Sequence, residues 1–225
     1  KINSIENLKV NNNLKKLTII DSNIFNICTI EEIQLEYLSV ISSPAISLQD
    51  ITKLKNLKEL YYKSNIQTDN ELINLENLEN LLILNLNNNN IININKMGVL
   101  KNLISLDIGS NKLESIEILK DYNKLKYVYF NYNKLTDISA LKNNKDIKFL
   151  NMSHNSISNI DFISNFENLE CLNVCNNPIK IVPNLLHFKK IDYENLYIDW
   201  KDVDDLKGMK GYEIIKNIIK SFCNK

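Results

Sequence analysis

Apolar residues recur along this chain in a short fixed pattern instead of the 3.6-residue period of a helix. Leu81, Leu84, Leu86, Asn89 and Ile91 occupy places 1, 4, 6, 9 and 11 of a unit. The same places hold Leu103, Leu106, Ile108, Asn111 and Leu113, then Leu125, Val128, Phe130, Asn133 and Leu135. They recur as Ile147, Leu150, Met152, Asn155 and Ile157, and as Leu169, Leu172, Val174, Asn177 and Ile179. These units begin at 81, 103, 125, 147 and 169, a spacing of 22 residues each time. Upstream the pattern slips. Units begin at 14, 35 and 57, and the one opening with Leu57, Leu60, Tyr62 and Asn65 is two residues longer, the excess falling within 67–70. Ile2, Ile5 and Leu8 match the tail of a unit whose head is missing, so an earlier coil or N-terminal cap is expected.

In such a unit, places 4 and 6 alternate with their neighbours as a short strand that sends one face inward. One strand per unit stacks into a parallel sheet, and because a lone coil cannot close its apolar face, stability must come from neighbours in series. Place 9 lies where the chain leaves the strand. An Asn amide there can bond backbone groups that the turn would otherwise bury unpaired, and stacked copies form a ladder. Ser22 and Ser43 hold this place in the first two units and are a weaker substitute. Places 11, 14, 17 and 20 step by three, as in Ile157, Ile160, Ile163 and Phe166, the period of a tight 3₁₀-like or extended turn. The expected fold is therefore an α/β solenoid with a curved parallel sheet on the concave side and short turns on the convex side.

If places 4 and 6 face the core, places 3, 5, 7 and 8 face the concavity. Place 3 runs Lys16, Tyr37, Glu59, Ile83, Ser105, Tyr127, Phe149, Cys171. Place 5 runs Thr18, Ser39, Tyr61, Asn85, Asp107, Tyr129, Asn151, Asn173, and place 8 runs Asp21, Ser42, Ser64, Asn88, Ser110, Tyr132, His154, Asn176. At about 4.8 Å per strand, eight coils present a surface roughly 35 to 40 Å long, the scale of a protein partner. Tyr127, Tyr129 and Tyr132 share one coil, Phe149 is beside them on the next, and Asp107 and His154 stand at the margin. Exposed tyrosines with a polar border are the usual composition of a binding hot spot, although tyrosine and phenylalanine are also simply good strand formers. Tyr37 and Tyr61 make a smaller second candidate.

The spacing L-x-x-L-x-L-x-x-N-x-L resembles the 22-residue class of leucine-rich repeats, found in bacterial internalin-like adhesins and in a regulatory subunit of protein phosphatase 1. The resemblance covers residues 1–190 and implies protein recognition without catalysis, with no cofactor. It leaves the partner open, because members bind unrelated proteins through different concave side chains. The abundance of Asn, Ile and Lys is what a low-GC genome would encode, which points towards the bacterial relatives.

Charge and composition narrow the alternatives. Lys+Arg number 27 and Asp+Glu 27, so no overall basic field attracts nucleic acid. No apolar run approaches the roughly 18 residues that a membrane helix needs. With Gly 4 in total, a backbone phosphate cradle has no material. Cys28, Cys171, Cys175 and Cys223 are too scattered for a disulfide framework, and free thiols lean towards a reducing compartment, whereas removal of a leader would place the chain at the cell surface. Cys171 and Cys175 sit about 13 Å apart on one strand and cannot bond. Cys175 is expected diagonally near His154, an arrangement open to nucleophilic or metal chemistry but without an orienting acid or oxyanion donor.

After Ile191 the repeat stops matching, although Leu196 and Ile198 can form a last irregular strand. Over 191–225 a C-terminal cap is expected, with Asp202 starting a short helix, Trp200 beneath it, and a helical stripe of Ile214, Ile215, Ile218, Ile219 and Phe222. The same helix could instead serve a dimer or a partner. The chain is expected to be a monomeric module that binds a protein on its concave face. The alternatives are a spacer in a longer surface protein, or a Cys-dependent enzyme or redox sensor.

Overall fold

A computed structural model describes residues 2–66, 68–183 and 196–199. Nine strands form one open, all-parallel sheet in chain order: β1 (Lys16–Ile20), β2 (Tyr37–Ile41), β3 (Glu59–Lys63), β4 (Ile83–Asn85), β5 (Ser105–Asp107), β6 (Tyr127–Tyr129), β7 (Phe149–Asn151), β8 (Cys171–Asn173) and β9 (Leu196–Tyr197). The first eight open at place 3 of their units, so like places stand side by side: Ser105 pairs with Tyr127, Tyr127 with Phe149, and Phe149 with Cys171. Leu106, Val128, Leu150 and Leu172 at place 4 are buried, as are Ile108, Phe130, Met152 and Val174 at place 6. The last irregular strand expected from Leu196 is β9, paired on β8. The expected C-terminal helix and Trp200 lie outside the described residues.

The ladder at place 9 is built as its chemistry requires. Asn133 Nδ2 donates to Phe130 O at 2.9 Å within its own coil and to Ile108 O at 3.0 Å in the coil before. Its Oδ1 accepts from Leu113 N–H at 2.9 Å. Asn89, Asn111, Asn155 and Asn177 repeat this pattern. The serine coils make fewer bonds, with Ser43 Oγ accepting from Ser22 N–H at 3.0 Å and donating to Ile41 O at 2.9 Å. One expectation fails in the unit opening at Leu57. Ser64, not Asn65, enters the ladder and accepts from Ser43 N–H at 2.9 Å. Asn65 instead takes the left-handed backbone conformation, φ +63°. In this coil the left-handed residue follows the ladder residue, whereas in the other coils it precedes it.

Among the described residues the convex side carries 3₁₀ turns, such as Glu117–Asp121 and Asp161–Asn165, and one short helix α1 (Leu48–Ile51) capped by Ser47. The longer unit spends its two extra residues on a second 3₁₀ turn, Asp69–Leu72, started by the Thr68 and Glu71 capping box. Beneath the turns, places 11, 14 and 17 are filled by apolar side chains, and place 20 holds Leu100, Tyr122 and Phe166 in three coils. The coil of β6 puts Asn144 there. It is 3% exposed, and its Oδ1 has no hydrogen-bond partner. An unpaired buried acceptor costs about 1–3 kcal/mol. Asn144 Nδ2 donates to the Tyr122 carbonyl, so Asn144→Leu removes one unpaired acceptor and one hydrogen bond together. The urea midpoint is therefore expected to stay within about 1 kcal/mol of the parent, and a clear drop would show that the amide bond outweighs the unpaired oxygen.

Candidate functional site

The face of the sheet opposite the core is assembled from short side chains in rows, interrupted by the aromatic residues of β6 and β7. Tyr127 and Phe149 are register partners with ring centroids 5.6 Å apart. Just past the strands, Tyr132 stacks on His154 at 4.0 Å with the planes 11° apart, and His154 Nε2 lies 3.2 Å from Asn176 Nδ2. Tyr132 is 53% exposed, an unusual amount for a tyrosine ring with one face already covered. Asp107 is in register with Tyr129. Burial, then the Asp107 carboxylate, Cys171 and Tyr127 push the Tyr129 hydroxyl above its ordinary pKa. The six residues Tyr127, Tyr129, Tyr132, Phe149, Asp107 and His154 thus occupy one stretch of the surface.

Two of these tyrosines depart from what the local backbone favours. At place 5, Asn85, Asp107, Asn151 and Asn173 each accept through Oδ1 from the N–H two residues on, at 3.0, 3.0, 3.2 and 3.1 Å. Tyr129 stands at this place in its coil and brings no such acceptor to Asn131 N–H. At place 8 the backbone is left-handed, with φ +53° at Asn88, +53° at Ser110 and +56° at Asn176. That conformation suits Asn, Asp and Gly and costs other residues about 1–2 kcal/mol. Tyr132 and His154 adopt it nonetheless, both at φ +56°. Sheet and turn mechanics alone would place Asx residues at both positions.

The smaller candidate is a separate pair on β2 and β3. Tyr37 and Tyr61 lie 5.4 Å apart, with the Lys16 ammonium 5.9 Å from the Tyr37 ring. Ser39, expected on the open surface, is 5% exposed, and Ser64 is 4% exposed because it joins the ladder. Sequence reasoning also passed over two neighbours of the main patch, Gly109 and Asn131. Gly109 lies under the Asn131 amide, where a Cβ would come within 2.8 Å of Asn131 Oδ1. Cys171 sits beside Phe149 in register. Gly109 could have been found in the sequence, as the glycine at place 7 of the coil before the tyrosines.

Catalytic use of Cys175 is poorly supported by its surroundings. His154 and Cys175 meet through their backbones, His154 N–H donating to Cys175 O at 2.8 Å. The His154 ring turns to Tyr132 and Asn176. Burial and the Asp199 carboxylate push the Cys175 thiol up to about 11, from an ordinary 9.0. Its thiolate at neutral pH is then about a hundredfold scarcer than that of an ordinary thiol. Alkylation of native Cys175 by iodoacetamide, followed by mass spectrometry, should be about a hundredfold slower than that of a free thiol at pH 7 and rise as pH passes 11. Fast reaction at pH 7 would revive the nucleophile. Because the folded pKa is the higher one, this group favours the fold below pH 9 and that contribution is lost as pH rises through 11. Among the described residues no three His, Cys, Asp or Glu side chains gather as a metal site, and no helix is long and apolar enough to cross a membrane.

A family model for leucine-rich repeats, in two copies, matches residues 101–143, the stretch that carries β5 and β6. The fold is that of a leucine-rich-repeat solenoid. An internalin (inlF) from Listeria monocytogenes superposes on this repeat protein with a TM-score of 0.69 at 22% identity, over 88% of this chain and 71% of that one. Internalin C2 from the same organism gives 0.66 at 28% identity, over 75% and 74%. The ectodomain of the plant receptor kinase GASSHO1/SCHENGEN3 from Arabidopsis thaliana, solved with Casparian strip integrity factor 2, gives 0.68 at 18% identity, over 87% of this chain and 26% of that one. No curated protein matches the sequence.

Proposed function

We propose that this leucine-rich-repeat chain is a non-catalytic module that holds a protein partner on its concave face, anchored by Tyr127, Tyr129, Tyr132 and Phe149. The observation that carries the proposal is the double departure of the β6 coil. Tyr129 stands where Asp107 and Asn151 serve the backbone in the coils on either side, and Tyr132 takes a left-handed backbone that its side chain does not favour, at a local cost that the fold itself does not require. Large, rigid rings with few rotors are what a binding surface gains in exchange. A solenoid of this architecture holds a partner in the plant receptor ectodomain, which supports the reading at the level of fold. Tyr37 and Tyr61 form a second anchor on the same face, about three strand spacings away.

The test uses a variant that cannot be dismissed as unfolded. Tyr129→Asn with Tyr132→Asn puts at both places a residue that suits the local backbone, so the double variant should fold at least as well as the parent. Both proteins are used as bait against the lysate and surface fraction of the source cell. The proposal expects a protein retained by the parent and lost with the variant. Identical retained sets would sink it.

A further inference from the structure

Across β4 to β8, the positions at places 3, 5, 7 and 8 hold one formal charge, Asp107. The remainder are amides, hydroxyls, thiols, rings, one glycine and one isoleucine. Its carboxylate is held from three sides: Asn85 Nδ2 and Asn87 Nδ2 both donate to Oδ2 at 2.9 Å, and Gly109 N–H donates to Oδ1 at 3.0 Å. Asp107 nevertheless stands in no ion pair among the described residues. Lys126 and Lys148 occupy place 2, before the strands, and Lys148 is engaged by Glu170 at 2.9 Å. A fixed, half-buried carboxylate without a cation therefore lies in register with Tyr129.

We infer that Asp107 and the face of Tyr129 form a receptor for a cation on the partner, and that this cation is an arginine guanidinium. The inference rests on the binding role proposed above and specifies its chemistry. The net negative charge comes from the protein, so the complement must be positive. A carboxylate has about four acceptor directions, and three are taken here. One direction remains, so a bidentate fork on Asp107 is closed. The rest of the cation must be covered by something other than acceptors. An ammonium is strongly hydrated and seeks three acceptors, whereas a guanidinium is planar, weakly hydrated and lies flat on an aromatic ring. Tyr129, in register with Asp107, supplies that ring.

The test needs no partner. The whole chain is titrated with N-acetyl-arginine methylamide and, separately, with its neutral isostere N-acetyl-citrulline methylamide, while NMR follows the Gly109 amide and the Tyr129 ring. The arginine probe should shift both signals saturably, and citrulline should bind about tenfold more weakly. Asp107→Asn should abolish that difference. Tyr129→Val, which copies the residue beside it in sequence, should weaken arginine by a similar factor with the carboxylate intact, so the inference stays testable if one variant misfolds. Equal binding of the two probes, or arginine binding unchanged in both variants, would overturn it. If the probes bind equally while the asparagine double variant loses its partner, the binding role stands and only the cation preference falls.

Discussion

Replacing Asn133 by Ala is expected to destabilise the chain by about 1–3 kcal/mol, chiefly because the Leu113 N–H is left unpaired. The Phe130 and Ile108 carbonyls also lose this amide, but Asn155 Nδ2 and Asn111 Nδ2 still donate to them. A loss of this size is a sizeable share of the roughly 5–15 kcal/mol by which domains are stable. Its site matters as well, because each coil contacts only its neighbours and Asn133 ties the β6 coil to the β5 coil. Urea unfolding of the variant should show an earlier transition that splits in two, as the parts on either side separate. A single transition within about 1 kcal/mol of the parent would mean that strand pairing, not the ladder, joins the coils.

The double variant Tyr129→Asn with Tyr132→Asn is expected to weaken partner binding by a factor of about 10³, taking about 2 kcal/mol for each hot-spot ring. Stability should change little and in the favourable direction. Tyr132 gives up a stacking contact of about 0.5–1.5 kcal/mol and a backbone penalty of about 1–2 kcal/mol. Tyr129→Asn adds an acceptor for Asn131 N–H. Isothermal titration against the captured partner and a melting curve together decide the matter. Weaker binding with an equal or higher melting point identifies the rings as functional. Weaker binding with a lower one would mean that they hold the coil together.

The architecture was open to sequence reasoning because its determinants are local and repeated. Places 4 and 6 carry the core and place 3 opens each strand, and both can be counted from a five-fold repeat. The asparagine ladder follows from one side chain that can donate and accept at once. Where the repeat slips, counting fails: Asn65 fits the pattern by number, but Ser64 makes the bond, because the left-handed turn residue falls one place later, on Asn65 itself. The proximity of Tyr127 to Phe149 was legible as a register pair. The stack of Tyr132 on His154 was not, since it depends on a left-handed backbone at place 8 that only coordinates display. Asp107 was visible as a marginal charge. That it is held by Asn85, Asn87 and Gly109 could not be seen without side-chain positions.

The change of ladder chemistry along the solenoid also makes it mechanically polar. The coils of β1 to β3 are joined through serine hydroxyls and those from β4 onward through asparagine amides, which make more bonds per coil. Tension applied along the chain meets the weaker joints first. A coil of 22 residues occupies about 4.8 Å of the stack but about 75 Å when drawn out straight. The molecule is thus a spool that pays out from its serine end, lengthening in large steps while the aromatic coils stay wound.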